Sequence, residues 1–242
     1  MTRLHRPDRK GMTMVEMMVA LAIFAVVSTV VIGFLTSSRR TYNTTSDRAH
    51  YQQSLRAVFS LMTRELRSAG CEVMLHLPME PLEYPSVDPG PGALLSSMSA
   101  DDLIAQLREN LSDVPGIKGV NNHMGSKLTA ESARLYQVFS VLKKEGLFFI
   151  DSRSTPETVG RPSARLFQLP FAERDVFIDH VQDPDLIRLR VKELIQIARK
   201  NGEAIGIAHP SKTTLRILEE MLPMLKKEVQ LVPASHVVHV IS

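Results

Sequence analysis

The hydrophobic rhythm of the chain changes near residues 70–72. Ahead of that point the apolar residues form one long run and then a helical stripe. Behind it they fall into short clusters separated by polar, helix-like stretches. Residues 17–35 read MMVALAIFAVVSTVVIGFL, an uncharged run of about 19 residues. As a helix rising about 1.5 Å per residue, this run matches the roughly 30 Å hydrocarbon core of a bilayer. It predicts a membrane-spanning helix. Leu55, Val58, Phe59, Met62 and Leu66 then recur at three- and four-residue spacing, with Arg39, Arg40, Arg56, Arg64 and Arg67 off that stripe. This predicts an amphipathic continuation.

From residue 72 the pattern predicts short strands whose ends carry polar residues. One covers 72–75 and ends at His76; a second covers 117–120 and ends at Asn121, Asn122 and His123. Others are expected over 147–150 before Asp151, 176–178 before Asp179, 204–208 before His209 and Pro210, and 229–232 near Ser235. Helices are expected over 100–111, over 129–144 with Thr129 as N-cap, over 185–200 closed by Asn201 and Gly202, and over 213–227. Alternating strands and helices imply a parallel α/β fold, in which chemistry collects at the carboxyl ends of strands. Two regions are therefore expected: 1–71, with the membrane and amphipathic helices, and 72–242, an α/β domain.

Composition narrows this picture. A length of 242 residues with 44% hydrophobic content permits a sizeable core. The net charge is only +3, and no run of Lys and Arg interleaves with aromatics, so a nucleic-acid groove is not expected. Cys71 is the single cysteine, which excludes an intrachain disulfide. Trp is absent and aromatics make up 5%, against a long sugar cleft lined with aromatic platforms. Arg3, Arg6, Arg9 and Lys10 oppose only Asp8 ahead of the apolar run. That asymmetry predicts a cytoplasmic N-terminus and an extracytoplasmic C-terminal domain, anchored by one pass through the bacterial cytoplasmic membrane.

A secretory signal would carry its small-residue cleavage site after the apolar core. Here Gly11 precedes the run and follows Arg9 and Lys10, and Glu16 sits at its mouth. A carboxylate there is costly and usually functional. Basic leader, Gly11, the MTMVE sequence and an apolar helix together resemble the type IV prepilin processing motif. The resemblance implies cleavage after Gly11 by a prepilin peptidase and N-methylation of Met12, which stands where the family often has Phe. Glu16 would be the fifth mature residue and would pair with a neighbouring pilin subunit's N-terminus. LMTRELRSAG, residues 61–70, resembles the equivalent region of minor pilins and pseudopilins.

In the second region, imidazoles and carboxylates on converging strand ends suit a divalent metal, zinc above all. Spacing alone does not establish one, since HxxxH and HExxH are both absent. His76 and Glu80 stand four apart, but Pro78 between them argues against a helix, leaving convergence on a loop. EVMLHLPMEP (72–81), DPGPGALL (88–95), GVNNHMGS (119–126), FFIDSRS (148–154), RDVFID (174–179) and GIAHP (206–210) resemble the divergent polysaccharide deacetylase family. The resemblance implies an incomplete (β/α) barrel and metal-dependent hydrolysis of acetyl groups on a cell-envelope carbohydrate. Position by position it implies His76 and His123 as metal ligands and His209 as the acid for the leaving group, with Ala208 replacing the usual Gly. Asp151 and Asp179 would line the site, and Asn121, Asn122, Arg153 and Arg174 would contact the sugar. Plainer roles stand beside these: Asn121 and Asn122 closing a turn, Asp175 pairing with Arg174, and His236 and His239 on the surface of a terminal strand.

The family normally opens with a strand ending in an Asp pair. The adjacent pair here, Asp101 and Asp102, begins a helix and suits its N-terminal dipole. The expectation is therefore a truncated barrel, short of a carboxylate ligand and a general base, with an unpaired edge on its first strand. The competing expectation is a minor pilin-like or pseudopilin-like subunit of a type IV pilus or type II secretion system, carrying the C-terminal domain as an inactive passenger.

Overall fold

The computed structural model of the protein describes Ser68 and residues 70–241. The chain divides into two units, Met1–Leu55 and Arg56–Ser242, and everything described belongs to the second. The expected membrane helix, amphipathic stripe and processing residues Gly11, Met12 and Glu16 lie outside the described residues. Among the described residues no helix is long and apolar enough to cross a membrane.

Strand β1 (Met74–Met79) alternates with period two. Leu75, Leu77 and Met79 are buried, while His76 points to the opposite, open face. Helix α1 (Ala100–Asp113) starts at Ser99, whose hydroxyl accepts from the Asp102 amide, and it buries Leu103 and Leu107. Asp101 and Asp102 sit in its first turn as the dipole argument requires. Strand β2 (Gly119–Met124) lies parallel to β1, with His76 opposite Asn121 and Pro78 opposite His123. Helix α2 (Ser132–Lys144) buries Leu135, Val138, Phe139, Val141 and Leu142 against the sheet. Strand β3 (Phe148–Asp151), helix α3 (Gly160–Phe167) and strand β4 (Pro170–Glu173) complete the first layer. The sheet order is β1-β2-β3-β4-β7, parallel except for β7 (His239–Val240), which runs antiparallel to β4. Phe139, Phe149 and Phe171 pack beneath it, with 5.0 Å between the first two ring centroids.

Strand β5 (Val176–Phe177) and strand β6 (Gly206–Ile207) form a separate parallel pair. Helix α4 (Pro184–Asn201) is capped by Asp183, has Pro184 in its first turn, and ends at left-handed Gly202. Helix α5 (Lys212–Glu228) is capped by Ser211. These helices bury Ile187, Val191, Ile195, Ile217, Met221 and Leu225 in a second apolar cluster with Val176 and Ile178.

The observed α/β fold with its parallel sheet departs from the sequence expectations in four places. Thr129 does not cap α2: residues Leu128–Ala130 form a short 3-10 turn, and the Thr129 hydroxyl donates to the Gly125 carbonyl at 2.7 Å. Glu131 takes the cap position instead. Residues 229–232 form no strand; the chain turns at Ala234–His236 and pairs only at β7. Helix α3 and strand β4 were not anticipated, because their apolar residues are too few and too broken by Pro162 and Pro170 to show a period. His76, Asn121, Asn122 and His123 sit inside strands rather than beyond their ends, so Asn121 and Asn122 close no turn.

On its far side, among the described residues, β1 pairs only at its end. There the Leu94 amide donates to the Pro78 carbonyl, and the Glu80 amide donates to the Leu94 carbonyl.

Candidate functional site

Period-two alternation puts His76, Asn121 and His123 on one face of two neighbouring strands. They open into a cavity of 880 Å³ at the carboxyl ends of the strands. Ser152, Arg153, Arg174, Phe177, His180 and His209 also line it.

The first half of the site is a histidine pair. His76 Nε2 lies 3.1 Å from His123 Nδ1, and the rings meet edge to face. The Asn121 amide nitrogen donates to the Ile150 carbonyl at 2.8 Å and to the Ser152 hydroxyl at 2.7 Å. Its oxygen is thereby left to accept from His76 Nδ1, 2.9 Å away. That fixes the His76 tautomer and leaves Nε2 as a lone-pair donor. Burial lowers the affinity of His76 for a proton, and the neighbouring His123 lowers it further; the Asn121 bond only partly opposes this. His123 is likewise lowered by burial and then by His209.

The second half is an acid–histidine pair. Asp179 is 2% exposed and accepts from the His209 amide at 2.8 Å and the Thr214 hydroxyl at 2.9 Å. Its other oxygen lies 3.1 Å from His209 Nδ1. Burial alone would push this carboxyl up, but the donated hydrogen bonds prevail and hold it below the usual carboxylate range. His209 itself has a half-open side chain, 58% exposed, so Nε2 is accessible from the cavity. The pair is reached from β5 and β6, where Ile178 donates to the Ile207 carbonyl and so aligns the two strand ends.

The structure corrects the expected role of several residues. Asp151 does not line the cavity. It is fully buried, and its oxygens accept from the Arg153 amide at 2.7 Å and the Thr158 hydroxyl at 2.6 Å. Burial pushes its carboxyl up. A Cβ on Gly160 would stand 2.5 Å from Asp151 Oδ2, so this glycine lets helix α3 approach the carboxylate. Glu80 is also turned away from the site: its carboxylate takes Ser96 and, at 2.8 Å, Lys127. The side-chain donors and acceptor of Asn121 are all committed within the scaffold, and buried Asn122 ties Ser152 N and the Met124 carbonyl together. Their work is to align strands and orient His76, with little capacity left for a sugar. Asp175 does not pair with Arg174; its Oδ2 accepts from the Ile205 amide at 2.8 Å. His239 lies on the surface of β7 and meets Glu203.

Arg174 and Arg153 do reach the cavity. Arg174 donates to the Ser152 and Arg153 carbonyls at 2.6 and 3.0 Å and lies over the Phe177 ring. Arg153 and Met124 have positive φ, 48° and 54°, at the ends of β3 and β2. Backbone held in this region is costly for such residues and clusters at functional sites. Lining residues not singled out from the sequence include Ser152, Phe177 and His180, whose ring centroid lies 5.8 Å from that of Phe177. Ser152 and His180 adjoin aspartates already singled out, Asp151 and Asp179, and continuing the strand-end argument by one residue would have found them.

The fit of a metal can be judged from the donors. Two nitrogens bound to one tetrahedral zinc stand about 3.3 Å apart, close to the 3.1 Å separation of His76 and His123. Among the described residues no group of three or more His, Cys, Asp or Glu gathers to hold a metal. The described donors are thus the pair alone. Glu193 is engaged by Arg190 and Asp175 by Ile205.

An α/β protein with histidines and an acid–histidine pair around the carboxyl ends of parallel strands is the class these observations define. The family model for divergent polysaccharide deacetylase matches residues 60–238, and the chain belongs to that family. A prokaryotic N-terminal methylation motif matches residues 6–32. The uncharacterized protein YibQ of Escherichia coli K12 is 34% identical over 174 residues, covering 72% of this chain and 54% of that relative. An uncharacterized protein of Haemophilus influenzae is 31% identical over 169 residues, covering 70% of this chain and 60% of its own length. The chain therefore spans little more than half the length of these curated relatives. The crystal structure of the uncharacterized protein ATU2773 from Agrobacterium tumefaciens C58 is similar with a TM-score of 0.70 and 28% identity, covering 73% of this chain and 72% of that one.

Proposed function

We propose that the protein hydrolyses acetyl groups from an envelope carbohydrate, held at the membrane by a prepilin-type N-terminal helix. The observation that carries this reading is the facing of the two half-sites across one cavity: a histidine pair in which His76 Nε2 keeps its lone pair, opposite an aspartate-backed histidine. His76 and His123 would hold a divalent cation, zinc by donor chemistry, which when bound polarises a carbonyl and lowers the pKa of a water. The chain's own residues do the rest. Asn121 keeps His76 Nε2 bare. Asp179 keeps the His209 proton on Nδ1, so that Nε2 can take a proton from water and return it to the departing nitrogen or oxygen. In the net reaction a water oxygen bonds to the acetyl carbon, the bond from that carbon to the sugar nitrogen or oxygen breaks, and acetate leaves. The parallel strands fit part of a (β/α) barrel.

The test is acetate release by the full chain in non-ionic detergent from acetylated envelope glycan, with and without zinc. Zinc-dependent release lost in His123→Ala and His209→Ala supports the reading; release unaffected by either variant removes it. A second reading is favoured by the methylation motif at 6–32: a pilin-like subunit processed by a prepilin peptidase at Gly11, with the domain as passenger. Glu16→Ala would then abolish incorporation into filaments while leaving His123→Ala fully assembled.

A further inference from the structure

Beside the main cavity lies a smaller recess of 250 Å³, lined by Arg153, Thr155, Pro156, Arg174 and Asp175. Arg153 and Arg174 belong to both. The Arg153 backbone is pinned in its left-handed conformation from two sides: its amide donates to Asp151 and its carbonyl accepts from Arg174. Its exposed guanidinium makes no hydrogen bond or ion pair among the described residues. The Arg174 guanidinium is fixed through Nε and Nη2. Two guanidiniums therefore face the recess against one carboxylate, Asp175, which is engaged by the Ile205 amide. Buried Asp151 attracts both guanidiniums from within the scaffold, but burial pushes its carboxyl up and both its oxygens are bonded; Glu157 is bonded by Thr155, and Arg190 across the main cavity is paired with Glu193. Holding two like charges together on a costly backbone conformation is explained by a ligand that brings the opposite charge.

We propose that this recess is an anion subsite, so that the acetylated sugar taken into the cavity carries a carboxylate or phosphate group. This rests on the carbohydrate reading above and specifies the substrate as an acidic glycan. The guanidinium fork suits either anion.

The test is calorimetric titration of the full chain in non-ionic detergent at low ionic strength with three probes: N-acetylglucosamine, N-acetylmuramic acid and N-acetylglucosamine 1-phosphate. At least one charged sugar should bind about tenfold more tightly than the neutral one, the worth of one charge-assisted contact. Arg153→Gln should erase that preference; its native side chain bonds to nothing in the scaffold, so the variant retains the surrounding hydrogen bonds. Whichever charged sugar is preferred distinguishes carboxylate from phosphate. Equal binding of all three, no binding of the charged pair, or a preference that survives in Arg153→Gln overturns the proposal. Acetate release in the same samples separates the two inferences. An Arg153-dependent preference without release leaves the subsite standing and the hydrolase reading fallen; equal release from all three sugars with equal binding does the reverse.

Discussion

The two halves of the site use the same side chain in opposite ways. His76 is oriented by a neutral amide and faces a second imidazole, and burial and that neighbour disfavour its protonation. His209 is oriented by a buried carboxylate that also holds its own backbone amide. A neutral partner and a like neighbour preserve a lone pair, as a cation requires. An anionic partner fixes a tautomer whose outer nitrogen can carry a proton, as acid–base work requires. The partner, rather than the histidine, assigns the role.

Breaking the anionic half should have the largest effect. Asp179→Ala removes the acceptor for His209 N–H, its ring and the Thr214 hydroxyl, and should cost about 3–5 kcal/mol in urea unfolding and lower acetate release by about 10²-fold or more. Asp179→Asn, which keeps volume, should recover much of the stability and little of the release. An equal recovery of both would show that the pair is only structural.

Breaking the neutral half should cost less stability and act through the metal. Asn121→Ala frees His76 and leaves the Ser152 region short of a donor, for about 1–3 kcal/mol. It should also shrink the rise in thermal midpoint caused by zinc, which for the native chain at a hundredfold excess over Kd corresponds to about 2.7 kcal/mol. A full zinc response in Asn121→Ala would separate the amide from the metal site.

Gly160→Ala probes the scaffold around Asp151. Its Cβ would press on Asp151 Oδ2, with Phe171 at 3.2 Å, and should destabilise by about 1–3 kcal/mol without altering the zinc response. A loss of the response would bring Asp151 back into the site.

Acid should distinguish the halves by pH, with the direction set by linkage. His76 and His123 are lowered on folding, so the unfolded chain binds more protons. Their contribution to stability is present above about pH 6.5 and is lost as pH falls below it. Asp179 is also lowered, so its contribution fades only later, below the usual carboxylate range and down through its folded value. Urea midpoints measured across pH should fall in two stages, and His123→Ala should flatten the first. A single stage near pH 4 would mean that the histidine pair does not titrate as described.

Particular residues show how far the sequence could be read. Apolar clusters, the Asp101–Asp102 helix start and the Gly202 stop were legible, because they depend on neighbours within a few positions, whereas the cap expected at Thr129 was not found there. The strand-end pattern brought His76, His123, Asp179 and His209 into view, and the structure gathers the three histidines around one cavity with Asp179 bonded behind His209. Asp151 and Asp179 looked alike, each following an apolar strand. One is sealed beneath α3 by the close approach of Gly160, whereas the other backs a cavity histidine. Asn121 and Asn122 are adjacent, yet alternation sends one toward His76 and the other into the β2–β3 joint. The antiparallel closure of β7 on β4 had no local signal, since its pairing spans residues far apart in the chain. The sequence by itself determined the strongly patterned elements, β1 to β3, α1, α2, α4 and α5, and which chemical groups lie on or beside them, because short-range sterics and hydrogen bonding settle those. Which face of each strand opens to solvent, and which acceptor each histidine meets, was decided only by tertiary pairing, because burial and partner identity are set by strands brought together from far apart in the sequence.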